Sequence, residues 1–406
     1  MNIEKWAEHI ATRNLNLNGN CKLVVAVDAS RNRSGGAIAH LLGIIGGADP
    51  REHGIEYVHV WSYKKLLKAL PDKPWLVKHN PNELEQSILS QIWWQRFKLN
   101  KEVKRAGCSI LLNTDAGTVS RYRPCVTMSR DMLSYEPGEI ERFGISKAWL
   151  RLLLLRYMQN RSLRNSDGTI FLTQYAANII QQSCGQLSRI AFIPHGVGSN
   201  FKLSMNTHPW PENNERPIRC LYISNAALYK HQWVVVKAIA DLRGRGYNLN
   251  LELVGGGTGN AQRLLDAEIA RTDPKNTFVT QTGFVAQSEL PKYLSGANLF
   301  IFASSCENMP NTLIEAMASG LPIACSSRGP MPEILQDAGA YFDPEDPKSI
   351  AVAVEKLLTD SVFRSNVAKK ASELANQYSW ARCAKETWSF LADIADEHKN
   401  SISKRI

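Results

Sequence analysis

The sequence lacks most of the features that classify a chain at a glance. Its eight cysteines (21, 108, 125, 184, 220, 306, 325, 383) include no Cys-x-x-Cys pair, and several lie inside apolar segments, as Cys325 does in Leu321-Pro322-Ile323-Ala324-Cys325. A disulfide framework and a structural zinc site are thereby disfavoured, and buried thiols in a reducing cytosol are expected. The nine histidines show no ligand spacing and Asp-x-Asp is absent, so neither an essential metal nor another cofactor is expected. The most concentrated aliphatic run, 150–155, is interrupted by Arg151 and is too short to cross a bilayer. The start, Met1-Asn2-Ile3-Glu4-Lys5-Trp6, does not place an apolar stretch behind a basic cluster, so no signal peptide is read there and a cytoplasmic location is expected.

What the chain does have is bulk and positive charge. At 406 residues it can build two or three cores, and 44% hydrophobic with 21% charged residues is ordinary for a globular enzyme. A net charge of +10 favours an anionic partner, whether a phosphate, an acidic membrane surface or nucleic acid. No nucleic-acid recognition motif accompanies it, and none of these partners is expected to be nucleic acid.

Short β-rich apolar runs alternate with helical stretches, the grammar of an α/β chain with parallel sheets. In the first half, strands are predicted at 22–28, 57–61, 109–113, 125–128 and 168–173, the first running through Arg31-Asn32-Arg33-Ser34-Gly35-Gly36 into an apolar helix over 37–45. Gly196, Gly198, Asn200, Asn206, Pro209, Pro211, Asn213, Asn214 and Pro217 then mark an irregular connection. A second series follows, with strands at 219–223, 248–254, 277–281, 299–303 and 321–325 and a helix over 232–243. The predicted division is 1–197, 198–380 and a terminal helical segment 381–406 returning to the first domain.

The most informative stretch runs from Phe300 to Pro322: a strand, the polar loop Ser304-Ser305-Cys306-Glu307-Asn308-Met309, and a short helix opened by Pro310 and closed by Gly320 and Pro322. Such a loop lies at the carboxyl end of a parallel strand, and the amides of Asn311, Thr312 and Leu313 would face outward as a diphosphate site. Glu307 in the loop and Glu315 in the helix would repel that diphosphate unless they met hydroxyl-rich ends of the ligand, which suggests sugar and ribose hydroxyls. The competing reading of either acid alone is a solvated loop residue or a dipole-favoured helix residue.

At this point the sequence resembles the GT-B glycosyltransferases of family 4. Glu307 and Glu315 match that family's Glu-x7-Glu motif, continuing into Ala316-Met317-Ala318-Ser319-Gly320-Leu321-Pro322. Ser34-Gly35-Gly36 looks like its glycine-rich loop, Ile193-Pro194-His195-Gly196-Val197 like its hinge, and Tyr229-Lys230-His231-Gln232 like its phosphate-binding lysine region. Arg328-Gly329-Pro330-Met331-Pro332-Glu333 and Tyr341-Phe342-Asp343-Pro344 fit its closing strand and helix. The resemblance implies two Rossmann-like domains with a donor cleft between them. It also implies retaining transfer of a hexose from a UDP- or GDP-linked donor to a glycan or lipid-linked glycan. Glu307 would hold the donor sugar and Glu315 the ribose, with Lys230 neutralising the leaving diphosphate. Asn308, Met309, Pro310, Asn311, Thr312, Leu313, Gly35, Gly36, Gly283 and Val285 would complete the donor site. Two departures stand out. Where relatives carry an N-domain histidine this chain reads Thr127-Met128-Ser129-Arg130-Asp131-Met132, leaving Arg130 or Asp131 to serve, and where they carry a second cation it reads Ser224-Asn225.

Tyr-Lys-His-Gln and Arg-Gly-Pro-Met-Pro-Glu resemble bacterial surface-polysaccharide enzymes, including O-antigen mannosyltransferases, which points to a lipopolysaccharide or capsule pathway. Two basic, aromatic-rich segments, Gln91-Ile92-Trp93-Trp94-Gln95-Arg96-Phe97-Lys98 and 147–164, make peripheral association with an anionic membrane a further expectation. Competing functions are a sugar-nucleotide epimerase of the same architecture and a non-catalytic nucleotide-sugar-binding protein. A nicotinamide-dependent oxidoreductase, suggested by Gly255-Gly256-Gly257-Thr258-Gly259, lacks Gly-x-Gly-x-x-Gly spacing and a suitably placed acid.

Overall fold

The computed structural model describes residues 23–33, 35–203, 210–211 and 216–403. Residues 1–22 (with Cys21 and Lys22), Ser34 and most of the irregular connection, 204–209 and 212–215, lie outside the described residues. The rest forms two compact units. One holds the described residues up to Met128, Asn165–Thr169 and those from Ala384 onward; the other holds Ser129–Arg164 and Ile170–Cys383.

Among the described residues thirteen strands build two sheets. The first contains β1 (Leu23–Asp28), β2 (Ile55–Trp61), β3 (Leu76–His79), β4 (Ile110–Asn113), β5 (Cys125–Ser129), β6 (Gly168–Phe171) and β7 (Ile190–Phe192), in the order β3-β2-β1-β4-β5-β6-β7. The second contains β8 (Ile218–Ile223), β9 (Leu249–Val254), β10 (Val279–Thr282), β11 (Leu299–Phe302), β12 (Ile323–Ser326) and β13 (Ala340–Phe342), in the order β10-β9-β8-β11-β12-β13. Every pairing in the second sheet is parallel. Both sheets therefore follow the 3-2-1-4-5-6 order of a doubly wound fold, and the expected pair of Rossmann-like halves is present.

Burial explains the strand compositions. The Leu-Phe-Ile-Phe of β11 is covered on both faces, as a central parallel strand must be, and reads as a continuous apolar run rather than an alternation. The chain closes with a helix, Trp380–Ser403, whose Phe390 and Ile394 press on Gly168 so closely that an added Cβ there would come within 3.0 Å of them. The expected return of the terminal helix to the first domain is thus observed. Glycine at 196 is demanded by close approach: a Cβ would lie 2.1 Å from the backbone nitrogen of Trp380. The Gly255–Gly257 run serves the same end. Gly255 has φ +115° and its Cβ would strike the Ser224 carbonyl at 2.3 Å, so the run is a packing turn ahead of the helix Asn260–Thr272.

All seven described cysteines are buried, and no disulfide joins any two of them. Among the described residues no helix is long and apolar enough to cross a membrane.

Candidate active site

In the second sheet the strand order reverses between β8 and β11, so the loops leaving those two strands diverge and open a crevice at their carboxyl ends. The loop after β8 carries Lys230 and the loop after β11 carries Glu307. Topology alone places the two side chains on opposite lips of one crevice, and they meet: Lys230 Nζ donates to Glu307 Oε1. Both side chains are mostly sheltered, 10% and 15% exposed, so their charges interact with little solvent screening.

Lys230 is held from both sides. Its carbonyl accepts from the buried Tyr222 hydroxyl at 2.7 Å, and its ammonium lies 5.6 Å from the Phe302 ring centre. The next residue, His231, adopts a left-handed conformation (φ 49°) that a non-glycine residue takes only when its surroundings impose it. What imposes it is a hydrogen bond of 2.9 Å between His231 Nε2 and Ser305 Oγ, reinforced by the Ser305 amide donating to the Tyr229 carbonyl at 2.8 Å. Burial drives the His231 pKa down to about 4, so the ring is neutral at pH 7. Ser305 in turn donates to Glu139, whose other oxygen accepts from Arg142 at 2.9 Å. The two loops and the segment after β5 thus form one network.

The helix after Glu307 runs over Asn311–Ala318, with Pro310 as its cap. Its end matches the sequence reading: Gly320 takes φ +70°, Leu321 N–H bonds to the Ala316 carbonyl and Gly320 N–H to that of Met317. Its start differs in one respect. The Leu313 amide, expected to face a diphosphate, turns back onto the Pro310 carbonyl at 3.1 Å, because the first turn tightens towards 3₁₀ geometry. The amides of Asn311 and Thr312 keep their donors unspent among the described residues, so the outward-facing set is two rather than three.

Polar atoms without partners mark the crevice. Glu315 is 5% exposed; its Oε1 accepts from Gln287 at 3.2 Å while Oε2 is buried with no hydrogen bond. Desolvation raises its pKa to about 7. Asn308 is also buried, and both its side-chain oxygen and nitrogen lack partners, although its carbonyl accepts from Thr173 Oγ1 at 3.0 Å. Buried polar groups are normally satisfied, and three such atoms on one short segment are what a polar ligand would complete.

The remaining predicted residues fall as follows. Met309 and Asn311 are gripped by the segment after β7: the His195 amide donates to Met309 Sδ at 3.0 Å and His195 Nδ1 lies 2.7 Å from Asn311 Oδ1. Arg130 lies near enough for its charge to help depress the pKa of His195, which burial brings down to about 4. The charge of Asp131 reaches Tyr229 and Cys306, the neighbours of Lys230 and Glu307, and helps raise both their pKa values. Gly283 is exposed and Val285 packs partly against the core at the end of β10. Gly35 and Gly36 belong to the other unit, where they open the helix Gly35–Gly47, and nothing lies within 4 Å of the Cβ position at Gly35.

Several contributors were not foreseen. Gln287, the partner of Glu315, sits in a polar loop where one more glutamine carries no signal. Phe284 on the same loop is 94% exposed, and a lone aromatic in a loop does show in sequence. Glu139 and Ser305 are 166 residues apart, beyond any local pattern.

With this geometry in hand, comparison with known proteins is specific. Residues 206–374 match the profile of the family described as "Glycosyl transferases group 1". Over 120 residues the chain is 28% identical to the O-antigen chain mannosyltransferase B of Escherichia coli, which spans 30% of this chain and 32% of that relative. The chain thus spans about a third of that relative's length. Sucrose-phosphate synthase from Thermosynechococcus elongatus superposes with a TM-score of 0.68 at 16% identity, covering 90% of this chain and 97% of that one. HepE of Anabaena, solved with UDP and glucose, superposes with a TM-score of 0.67 at 17% identity, covering 91% and 100%. The fold is that of the GT-B glycosyltransferases.

Proposed function

We propose that this chain, whose residues 206–374 form a group 1 glycosyltransferase segment, transfers a hexose from a nucleoside diphosphate sugar to a glycan or lipid-linked glycan acceptor in surface-polysaccharide synthesis. The observation that carries the reading is the set of unpartnered buried atoms on Asn308 and Glu315 beside the Lys230–Glu307 pair, at the carboxyl edge of a doubly wound sheet. Such a crevice suits a ligand with a doubly charged centre and hydroxyl-bearing ends. In this reading the diphosphate lies over the Asn311 and Thr312 amides and draws Lys230, Glu307 turns to sugar hydroxyls, and Glu315 accepts from the ribose.

A nucleoside diphosphate is a good leaving group, so the protein's task is to stabilise charge growing on phosphate oxygens. Lys230, released as Glu307 turns to the sugar, and the helix start supply that stabilisation. Transfer proceeds with retention, the departing phosphate taking the acceptor's proton, and closure around the donor limits its hydrolysis. Arg130 or Asp131 stands where relatives place a histidine. No metal is required, so transfer in excess chelator is expected to equal that in its absence; strict dependence on added Mg²⁺ or Mn²⁺ would contradict this scheme.

The similarity to an O-antigen mannosyltransferase supports a mannose-like hexose and a lipopolysaccharide or capsule product. Thermal-shift screening against UDP-, GDP- and dTDP-sugars, followed by assay of nucleoside diphosphate release with and without acceptor glycans, tests the reading. Release without any acceptor requirement would favour a hydrolase, conversion of the donor sugar without net release an epimerase, and binding with neither a non-catalytic protein.

Phe284 extends the site. Its exposed ring rides on the loop that sends Gln287 to Glu315, which suits stacking against the donor's base. A base–aromatic stack contributes about 1–3 kcal/mol. Phe284→Ala is therefore expected to raise the donor Kd roughly fivefold to a hundredfold with little change in kcat, as isothermal titration with the donor nucleotide would read.

A further inference from the structure

We infer that the outer face of the paired helices Ile88–Phe97 and Leu99–Arg105 is a docking surface for an anionic lipid bilayer. The inner face of these helices is fully used. Trp94, Leu99 and Val103 pack in a core with Trp61 and Leu84, and Gln95 Nε2 donates to Asp28 Oδ2 at 2.6 Å at the carboxyl end of β1. The outer face is a helical stripe of large apolar residues. Leu89 is 74% exposed, Trp93 48% and Phe97 56%, with Ile88 beside them at 56%. The spacing i, i+4, i+8 puts Leu89, Trp93 and Phe97 on one line. A continuous stripe of this kind calls for an occupant, where scattered single apolar residues would not.

Charge selects the occupant. Arg96, Lys98, Lys101, Lys104 and Arg105 follow within ten positions; Lys98 is paired with Glu83, and Glu102 accepts from the Trp94 indole at 3.0 Å, which leaves Arg96, Lys101, Lys104 and Arg105 as the cations outside an ion pair among the described residues. Two of the cations flank the rings: the Arg96 guanidinium lies 5.2 Å from the Phe97 centre and the Lys98 ammonium 5.3 Å from that of Trp93. Aromatic and aliphatic groups edged by cations match a bilayer boundary, where rings settle at headgroup level and each cation gains from anionic lipid. A second copy of this chain is the poorer fit, because a twofold contact would bring the same four unneutralised cations against each other.

The consequence for function follows from Gln95. The helix that meets the bilayer also grips the end of β1, so the carboxyl edge of the first sheet is held close to the membrane surface. This deepens the lipid-linked acceptor reading above, and its test does not depend on transfer.

The full chain is floated with vesicles of phosphatidylcholine alone and of phosphatidylcholine mixed with phosphatidylglycerol. It is expected to rise with the anionic vesicles only and to be released at about 0.5 M salt. Trp93→Ser/Phe97→Ser is expected to lower the partition at least about tenfold, and Lys101→Glu/Lys104→Glu to abolish the preference for anionic lipid. Thermal unfolding of each variant checks that it remains folded. Absence of wild-type flotation, or flotation unchanged in both folded variants, overturns the proposal. So does a wild-type dimer that Trp93→Ser/Phe97→Ser converts to monomer, which would make the face a self-interface.

Discussion

Replacing Lys230 by alanine is expected to reduce kcat/KM about 10²–10³-fold, the usual effect of deleting one preorganised donor from a developing oxyanion. The same change is expected to cost stability, because Glu307 is left as a sheltered carboxylate without its counter-charge. Breaking a buried pair from one side costs about 3–5 kcal/mol, and the partial exposure of this one places it at the lower end. The two losses separate in a second variant. Lys230→Met/Glu307→Gln removes both charges together, so its thermal midpoint should return close to that of the wild type while transfer stays absent. Steady-state kinetics and thermal unfolding on the three proteins check this. Wild-type kinetics in Lys230→Ala would remove the residue from the site.

Replacing Glu315 by glutamine is expected to weaken donor binding and to stabilise the free protein at the same time. The binding loss follows from a charge-assisted hydrogen bond, about 1.5–3 kcal/mol or roughly ten- to a hundredfold in Kd. The gain in stability follows from the pKa. Burial raises it from the ordinary 4.5 to about 7, so the fold prefers the protonated carboxyl. That preference contributes fully below pH 4.5, fades as pH rises towards 7, and has become a standing penalty above it. The gap corresponds to about 3 kcal/mol, which a neutral glutamine never incurs. Glu315→Gln should therefore melt a few degrees above the wild type at pH 8 and close to it at pH 4.5, while titrating the donor nucleotide weakly at both. An unchanged melting difference across this range would show that Glu315 is not desolvated as described.

Much of this architecture was legible before any coordinates. The strand–loop–helix unit from Phe300 to Pro322 announced itself because each part carries a local signal: an unbroken apolar run, a polar loop, a proline at the entry and a glycine at the exit. The positions of Glu307 and Glu315 followed from that frame. Strands β3 and β7 were missed because they are the two edges of the first sheet, only partly buried, and so lack the continuous apolar run that marks the inner strands. The pairing of Lys230 with Glu307, the bond between His195 and Asn311 and that between Glu139 and Ser305 were invisible, since each joins residues 77 or more positions apart. The fate of the Leu313 amide depended on whether one turn closed as α or 3₁₀, a choice of a few tenths of an ångström that composition does not encode.

The network from Arg142 through Glu139 to Ser305 and His231 has a practical corollary for anyone recombining such enzymes. A fragment begun at residue 198 would discard Glu139 and Arg142, which steady the Lys230 and Glu307 loops, together with Thr173 and His195, which hold the Asn308–Asn311 turn. Chimaeras meant to exchange the second sheet should therefore carry 129–164 and 170–197 along with it. Crossovers placed only at the irregular stretch near 204–215 would hand over the second sheet without the braces that hold its loops in place.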